Sequence, residues 1–200
     1  LKGAKLVEGM ERRALDILGE RDFFREDRAV ALAHHARHRR HLCEALLLYQ
    51  KFQRTEPAAA GRHLEHAGLG ARVIDDSYNA SAESMAAGLD LLCSLSCTGS
   101  RMAILGEMGE MGDEAPRMHE LVGAYAAAKK LDMLACVGGE LAQLMADAAR
   151  MMGMDEDRIQ VFSDYQQVLD RMGGALEKHD VVLVKGSRFV ELDRFVEGVC

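Results

Sequence analysis

Residues 72–85 read Arg72-Val73-Ile74-Asp75-Asp76-Ser77-Tyr78-Asn79-Ala80-Ser81-Ala82-Glu83-Ser84-Met85. A short β-branched run ends in two carboxylates, passes through small and polar residues, and enters a helical stretch. Ser81 has the chemistry of a helix N-cap, because its hydroxyl can accept from an amide of the first turn. The pattern is a strand followed by a helix, and the same alternation continues downstream. Apolar runs recur at Met102–Leu105, Met133–Val137, Ile159–Phe162 and Val181–Val184. Candidate helices lie between them near 82–96, 115–130, 139–153 and 165–177, with a last one over 191–199. Apolar runs without polar alternation suit strands covered on both faces, as in a parallel sheet. The expectation for residues 70–200 is therefore one α/β domain, Rossmann-like, with about five mostly parallel strands flanked by helices.

Upstream the texture differs. Residues 1–56 read as a mainly helical segment, and Thr55-Glu56-Pro57-Ala58-Ala59-Ala60-Gly61 opens a linker expected over 57–69. Residues 2–5 and 185–188 share a Lys-Gly-small-basic pattern, which chance explains at this length. The chain starts at Leu1 rather than Met, so a piece of a longer protein is expected.

The chain has 200 residues, 48% hydrophobic and 28% charged, enough to bury a sizeable core. With 25 basic and 32 acidic residues the net charge is −7, which disfavours general binding to phosphate backbones. The charge is uneven: eight basic and four acidic residues fall between Arg21 and Arg54. Within that stretch His34, His38 and His41 would share a helix face. The neighbouring arginines repel a cation, so a solvated basic helix is the favoured reading and no metal site is assigned. Five cysteines without a C-x-x-C read as reduced intracellular thiols, with Cys93 and Cys97 on one helix face. No apolar run reaches the length of a membrane helix, and no signal peptide is visible. A cytoplasmic protein without membrane insertion or nucleic-acid partner is expected.

Two further segments carry chemistry at strand ends. Val184-Lys185-Gly186-Ser187-Arg188 offers tight backbone and two cations, suited to a carboxylate or phosphate. Leu105-Gly106-Glu107-Met108-Gly109-Glu110-Met111-Gly112-Asp113-Glu114 places four carboxylates within eight residues. They could line a site or bind Mg²⁺, but the favoured reading is support of the next helix's N-terminus through its dipole. His119 in that helix reads as a packing or surface residue. No G-x-x-x-x-G-K-[ST], G-x-G-x-x-G after a strand, or G-x-S-x-G occurs.

Read in order, these segments resemble the C-terminal domain of the Mur ligase family, most of all its dipeptide-adding branch. A D-D-S-Y-N-A-N-P-x-S-M pattern is matched by Asp75–Met85, and L-G-D-M-x-E-L-G by Leu105–Gly112. H-x-x-V-G is matched by His119–Gly123, and D-x-V-L-V-K-G-S-R by Asp180–Arg188. A G-R-x-E pattern resembles Gly61–Glu65 with one extra residue. The departures are Ser81-Ala82 for Asn-Pro, Glu107 for Asp, and Leu192-Asp193 for Met-Glu.

The resemblance implies an ATP-dependent amide-bond ligase. In that family ATP phosphorylates the terminal carboxyl of UDP-MurNAc-tripeptide, and the amine of D-Ala-D-Ala then attacks. A central domain supplies the P-loop and the Mg²⁺ site; residues 1–56 are a candidate end of it. The C-terminal domain closes over the nucleotide and helps to bind the dipeptide. Matching motifs places Arg62 and Asp76 near the ribose, with Tyr78 and Asn79 in the same nucleotide-binding loop. Lys185, Ser187 and Arg188 fall near the dipeptide carboxylate or the phosphates. No catalytic residue is assigned. The chain alone is expected to be inactive, its partner being a central ligase domain in cis or in trans. Two alternatives stand beside this: a non-catalytic nucleotide- or peptide-binding module, and a Mur-type ligase with another amine substrate.

Overall fold

The computed structural model describes the strand at residues 63–66 and all of residues 70–200. The helical reading of residues 1–56, the histidine-rich stretch and Arg62 lie outside the described residues.

Among the described residues six strands form one sheet: β1 (His63–His66), β2 (Arg72–Asp76), β3 (Arg101–Gly106), β4 (Met133–Val137), β5 (Ile159–Phe162) and β6 (Val181–Lys185). Their order across the sheet is β1-β2-β6-β3-β4-β5. β2 to β6 are mutually parallel, as expected from five apolar runs. β1 pairs antiparallel with β2, His63 opposite Asp75 and His66 opposite Arg72. This edge strand falls where the sequence suggests a linker. Its His-Leu-Glu-His stretch carries one apolar residue and so lacks the buried-strand signature.

Because both faces are covered, successive side chains of each parallel strand enter two different cores. Ile74, Ala103, Leu105, Leu134, Cys136, Val181 and Leu183 face one layer of helices, α1 (Ala82–Ser94), α2 (Ala115–Ala128) and α3 (Glu140–Met151). Val73, Met102, Ile104, Ala135, Val137, Val182 and Val184 face the other, built from α4 (Tyr165–Val168), its continuation and α5 (Leu192–Val199). This period-two split explains why the strands read as unbroken apolar runs. Burying each large side chain contributes about 1.5–3 kcal/mol, which makes this double core the main source of stability.

Local sequence sets the helix ends. Ser81 caps α1 as expected, and Ser84 reciprocates: each hydroxyl accepts from the other residue's backbone N–H, at 3.2 and 2.9 Å. α1 stops at Ser94, where Ser94 Oγ donates to the Leu91 carbonyl and Leu95 turns extended. Cys97 therefore lies beyond the helix and not on one face of it with Cys93. Its sulfur sits among the carbonyls of Gly99, Ser100 and His179. The helix expected over 165–177 is shorter. It changes to a π-helical turn at Leu169–Gly173 and ends at paired glycines. No helix among the described residues is long and apolar enough to cross a membrane.

Candidate functional site

Ligands of open parallel sheets bind beyond the carboxyl ends of the strands, where the chain order reverses. Here that point lies around β6, which is inserted between β2 and β3 although it comes last in sequence. Three loops meet there: residues 77–80 after β2, 107–112 after β3, and 186–191 after β6. Between them opens a cleft of about 730 Å³. Tyr78 and Asn79 line it from the first loop, Gly109 and Glu110 from the second, and Ser187, Arg188, Phe189 and Glu191 from the third. Four of the seven residues singled out in the sequence thus share one cavity: Tyr78, Asn79, Ser187 and Arg188.

Two more, Asp76 and Lys185, lie behind the first loop and outside the cleft's lining. They are register partners across β2 and β6. Lys185 is 1% exposed, and its Nζ lies 2.9 Å from Asp76 Oδ2. It also donates to the Asn79 carbonyl at 2.8 Å. Its stem runs past α1, where a Cβ on Gly88 would stand 3.4 Å from Lys185 Cδ. Lys185 thus holds the Tyr78-Asn79 loop from below and does not line the cleft. Asp75 folds the same loop, accepting from Ser77 N at 3.1 Å and Ser77 Oγ at 2.6 Å.

The second and third loops are zipped together. Ser187 N donates to the Glu107 carbonyl at 3.1 Å, and Gly109 N donates to Ser187 Oγ at 2.8 Å. Ser187 thus braces the two loops against each other. Arg188 is exposed and stacks on the Tyr78 ring, its guanidinium 4.2 Å from the ring centre. Tyr78 and Phe189 are 71% and 61% exposed, the two large apolar side chains left in solvent among the described residues.

The acidic run behaves differently from the expectation. Glu107 does support a helix N-terminus, but that of α3 and not of the next helix α2. Its Oε1 accepts from Gly139 N at 2.8 Å and Ala142 N at 3.1 Å. The carboxylate reaches there because Gly138 has no side chain and sits at φ 142. Glu110 is held at φ 59 and Glu191 at φ 55, left-handed conformations that cost a non-glycine residue about 1 kcal/mol or more. Both face the cleft. Glu191 is paired with Arg194 at 2.9 Å. Sequence reasoning missed Glu110, Phe189 and Glu191 as cleft residues; Glu110 stood within a quoted motif, and the signal was its place at a strand's carboxyl end.

His119 is buried and anchors the second loop. Nδ1 lies 2.7 Å from the Ala115 carbonyl, so it carries the proton; Nε2 accepts from Met108 N at 2.8 Å. Burial pushes its pKa below the ordinary value, against the opposing effects of the Ala115 hydrogen bond and the Glu107 charge. Protonation would turn the Met108 acceptor into a donor. Because the folded pKa is depressed, His119 contributes stability above the unfolded value of 6.5 that is lost as pH falls below it. The expected slope is at most about 1.4 kcal/mol per pH unit as pH falls below 6.5. Urea midpoints across that window should flatten in His119→Gln; equal slopes in both proteins would refute the assignment.

Among the described residues, no group of three or more His, Cys, Asp or Glu could hold a metal ion. Cys136 is buried and its thiol is pushed up to about 12, which keeps it unreactive.

The fold and the cleft define an α/β domain whose candidate site is assembled from loops at the carboxyl edge of a parallel sheet. Residues 61–188 match the family described as Mur ligase, glutamate ligase domain. The chain belongs to that family. The UDP-N-acetylmuramoyl-tripeptide–D-alanyl-D-alanine ligase of Bacillus subtilis (strain 168) is 32% identical over 130 residues, 65% of this chain and 28% of that protein. The ligase of the same name from Treponema pallidum (strain Nichols) is 33% identical over 144 residues, 71% of this chain and 30% of its own. The chain therefore spans less than a third of these relatives' length. Among solved structures, the MurF ligase from Thermotoga maritima in complex with ADP superposes with a TM-score of 0.55 at 26% identity, covering 72% of this chain and 31% of that one. MurF from Acinetobacter baumannii shares the fold, with a TM-score of 0.57 at 24% identity over 74% of this chain and 31% of that one.

Proposed function

We propose that residues 61–200 work as the C-terminal domain of an ATP-dependent ligase that joins D-Ala-D-Ala to UDP-MurNAc-tripeptide, a cytoplasmic step of peptidoglycan precursor synthesis. The observation that carries this reading is the convergence of Tyr78, Asn79, Ser187 and Arg188 on one cleft, in a chain whose relatives bear that ligase name. In such a reaction ATP supplies the phosphoryl group that activates the tripeptide carboxyl, and the dipeptide amine displaces it as phosphate. Arg188 offers its guanidinium to the dipeptide carboxylate, in an orientation fixed by the Tyr78 ring. Ser187 shapes the loop that presents it, and the Asp76–Lys185 pair holds the opposite wall. Arg62 remains a candidate for the ribose, with Tyr78 and Asn79 beside it; Asp76, turned to Lys185 beneath their loop, bears on the nucleotide by positioning that loop.

The 200 residues contain no phosphate-binding-loop motif, and no group of three or more metal-ligating side chains occurs among the described residues. On this reading a central domain, in cis or in trans, supplies the phosphate-binding loop and the Mg²⁺ site. Closure of this domain on it would exclude water from the acyl phosphate.

The test exchanges the matched C-terminal part of the Bacillus subtilis ligase for residues 61–200. The hybrid is expected to ligate D-Ala-D-Ala in preference to single amino acids, while the 200-residue chain alone forms no product. In the hybrid, Arg188→Ala should raise KM for the dipeptide about tenfold or more and leave KM for ATP unchanged, since a hydrogen bond to a charged group contributes about 1.5–3 kcal/mol. Preference for glutamate or another amino acid would move the reading to a different Mur-type ligase. A dead hybrid whose isolated domain still binds dipeptide would make it a binding module.

A further inference from the structure

We infer that Glu110 receives the free amino group of the peptide whose carboxylate Arg188 holds, so that the cleft recognises a zwitterion by both ends. This rests on the reading of the cleft as the dipeptide site. Elimination among the carboxylates of the three cleft loops, and of the strand end that leads into the first, leaves Glu110. Asp75 is occupied by Ser77, Asp76 by Lys185, Glu107 by the first turn of α3, and Glu191 by Arg194. Glu110 lines the same cleft as Arg188, is exposed, and has no side-chain partner among the described residues.

Its backbone strengthens the case. Glu110 sits at φ 59, where glycine is the comfortable residue. Gly109 precedes it and Gly112, itself at φ 53, lies two residues on. The Glu110 side chain lines a cavity that also holds a guanidinium, so its carboxylate is placed for a ligand that Arg188 reaches as well. With Tyr78 and Phe189 as apolar walls, the cleft matches a short, small-side-chain peptide with free termini.

The experiment titrates the 200-residue chain with D-Ala-D-Ala and with N-acetyl-D-Ala-D-Ala up to tens of millimolar, following cleft amides by NMR. Wild type is expected to bind the free dipeptide more tightly than the acetylated one. Glu110→Gln should weaken the free dipeptide about fivefold, the scale of an exposed ion pair, and leave the acetylated one unchanged. Glu110→Gly should also weaken binding while raising Tm, because it relieves the left-handed strain. A purely structural glutamate would not separate stability from binding in this way. Equal affinity for both ligands, or an unchanged free-dipeptide affinity in Glu110→Gln, overturns the inference. If Arg188→Ala still weakens binding in that case, the dipeptide reading of the cleft survives without Glu110. If cleft amides do not respond to dipeptide at all, both fail together.

Discussion

Lys185→Met is expected to lower the unfolding free energy by about 3–5 kcal/mol, the range for removing one partner of a buried ion pair. Methionine fills nearly the same volume, so the loss would come from charge and hydrogen bonding. Asp76, 12% exposed, would keep its carboxylate under the cleft without the ammonium 2.9 Å away. The Asn79 carbonyl would lose its donor as well. Adding Asp76→Asn to Lys185→Met should recover a large part of the loss, because no lone charge then stays buried. Urea unfolding of the two single variants and the double variant closes the cycle. Additive losses would show that the pair is not the unit described here. The same substitution should loosen the Tyr78-Asn79 loop, so the dipeptide binding proposed for the cleft would suffer even at temperatures where the domain stays folded.

The second large effect is expected from Gly123→Ala in α2. Helix propensity alone predicts a gain of about 1 kcal/mol for replacing a mid-helix glycine by alanine. Packing predicts the reverse. Gly123 is buried where α2 crosses α3, and a Cβ there would overlap the backbone carbonyl of Met145. That carbonyl is part of a helix and cannot rotate aside like a side chain. Overpacking of this kind costs about 1–3 kcal/mol or more and should outweigh the propensity gain. A net loss of about 2 kcal/mol would lower Tm by roughly 4–8 °C in a domain of this size. An unchanged or higher Tm would mean that the two helices separate at little cost.

How far the sequence revealed this molecule depended on the kind of signal. The five parallel strands were legible because residues such as Val181–Val184 are apolar at every position, a pattern that only two-sided burial explains. β1 was not, since an edge strand of four residues needs neither apolar alternation nor β-branched content. The cap at Ser81 was legible because capping is local chemistry. The destination of Glu107 was not: it bonds amides more than thirty positions away, and no spacing rule anticipates a strand-end carboxylate serving the helix after the next strand. The same limit applied to Lys185. A lysine after an apolar strand reads as a cation offered to solvent, and only the register with Asp76 shows it buried. Motif matching assigns Tyr78 and Asn79 to the nucleotide and Ser187 and Arg188 to the dipeptide or the phosphates; that all four line one cleft follows from strand ends of a parallel sheet lying along one edge, whatever their distance in sequence.

The zipped loops after β3 and β6 bear on the entropy of binding. Loops that recognise ligands often gain their order only when the ligand arrives, and that ordering weakens affinity. Here Ser187 and Gly109 already satisfy each other's loop before any ligand is present. What is left to immobilise is a few exposed rotors, chiefly Glu110 and Phe189, at about 0.5–1.5 kcal/mol each. Arg188 is partly immobilised in advance by its stacking on Tyr78. A small, flexible peptide would thus meet a receptor whose backbone freedom was given up at folding, which lets a handful of polar contacts suffice for its capture.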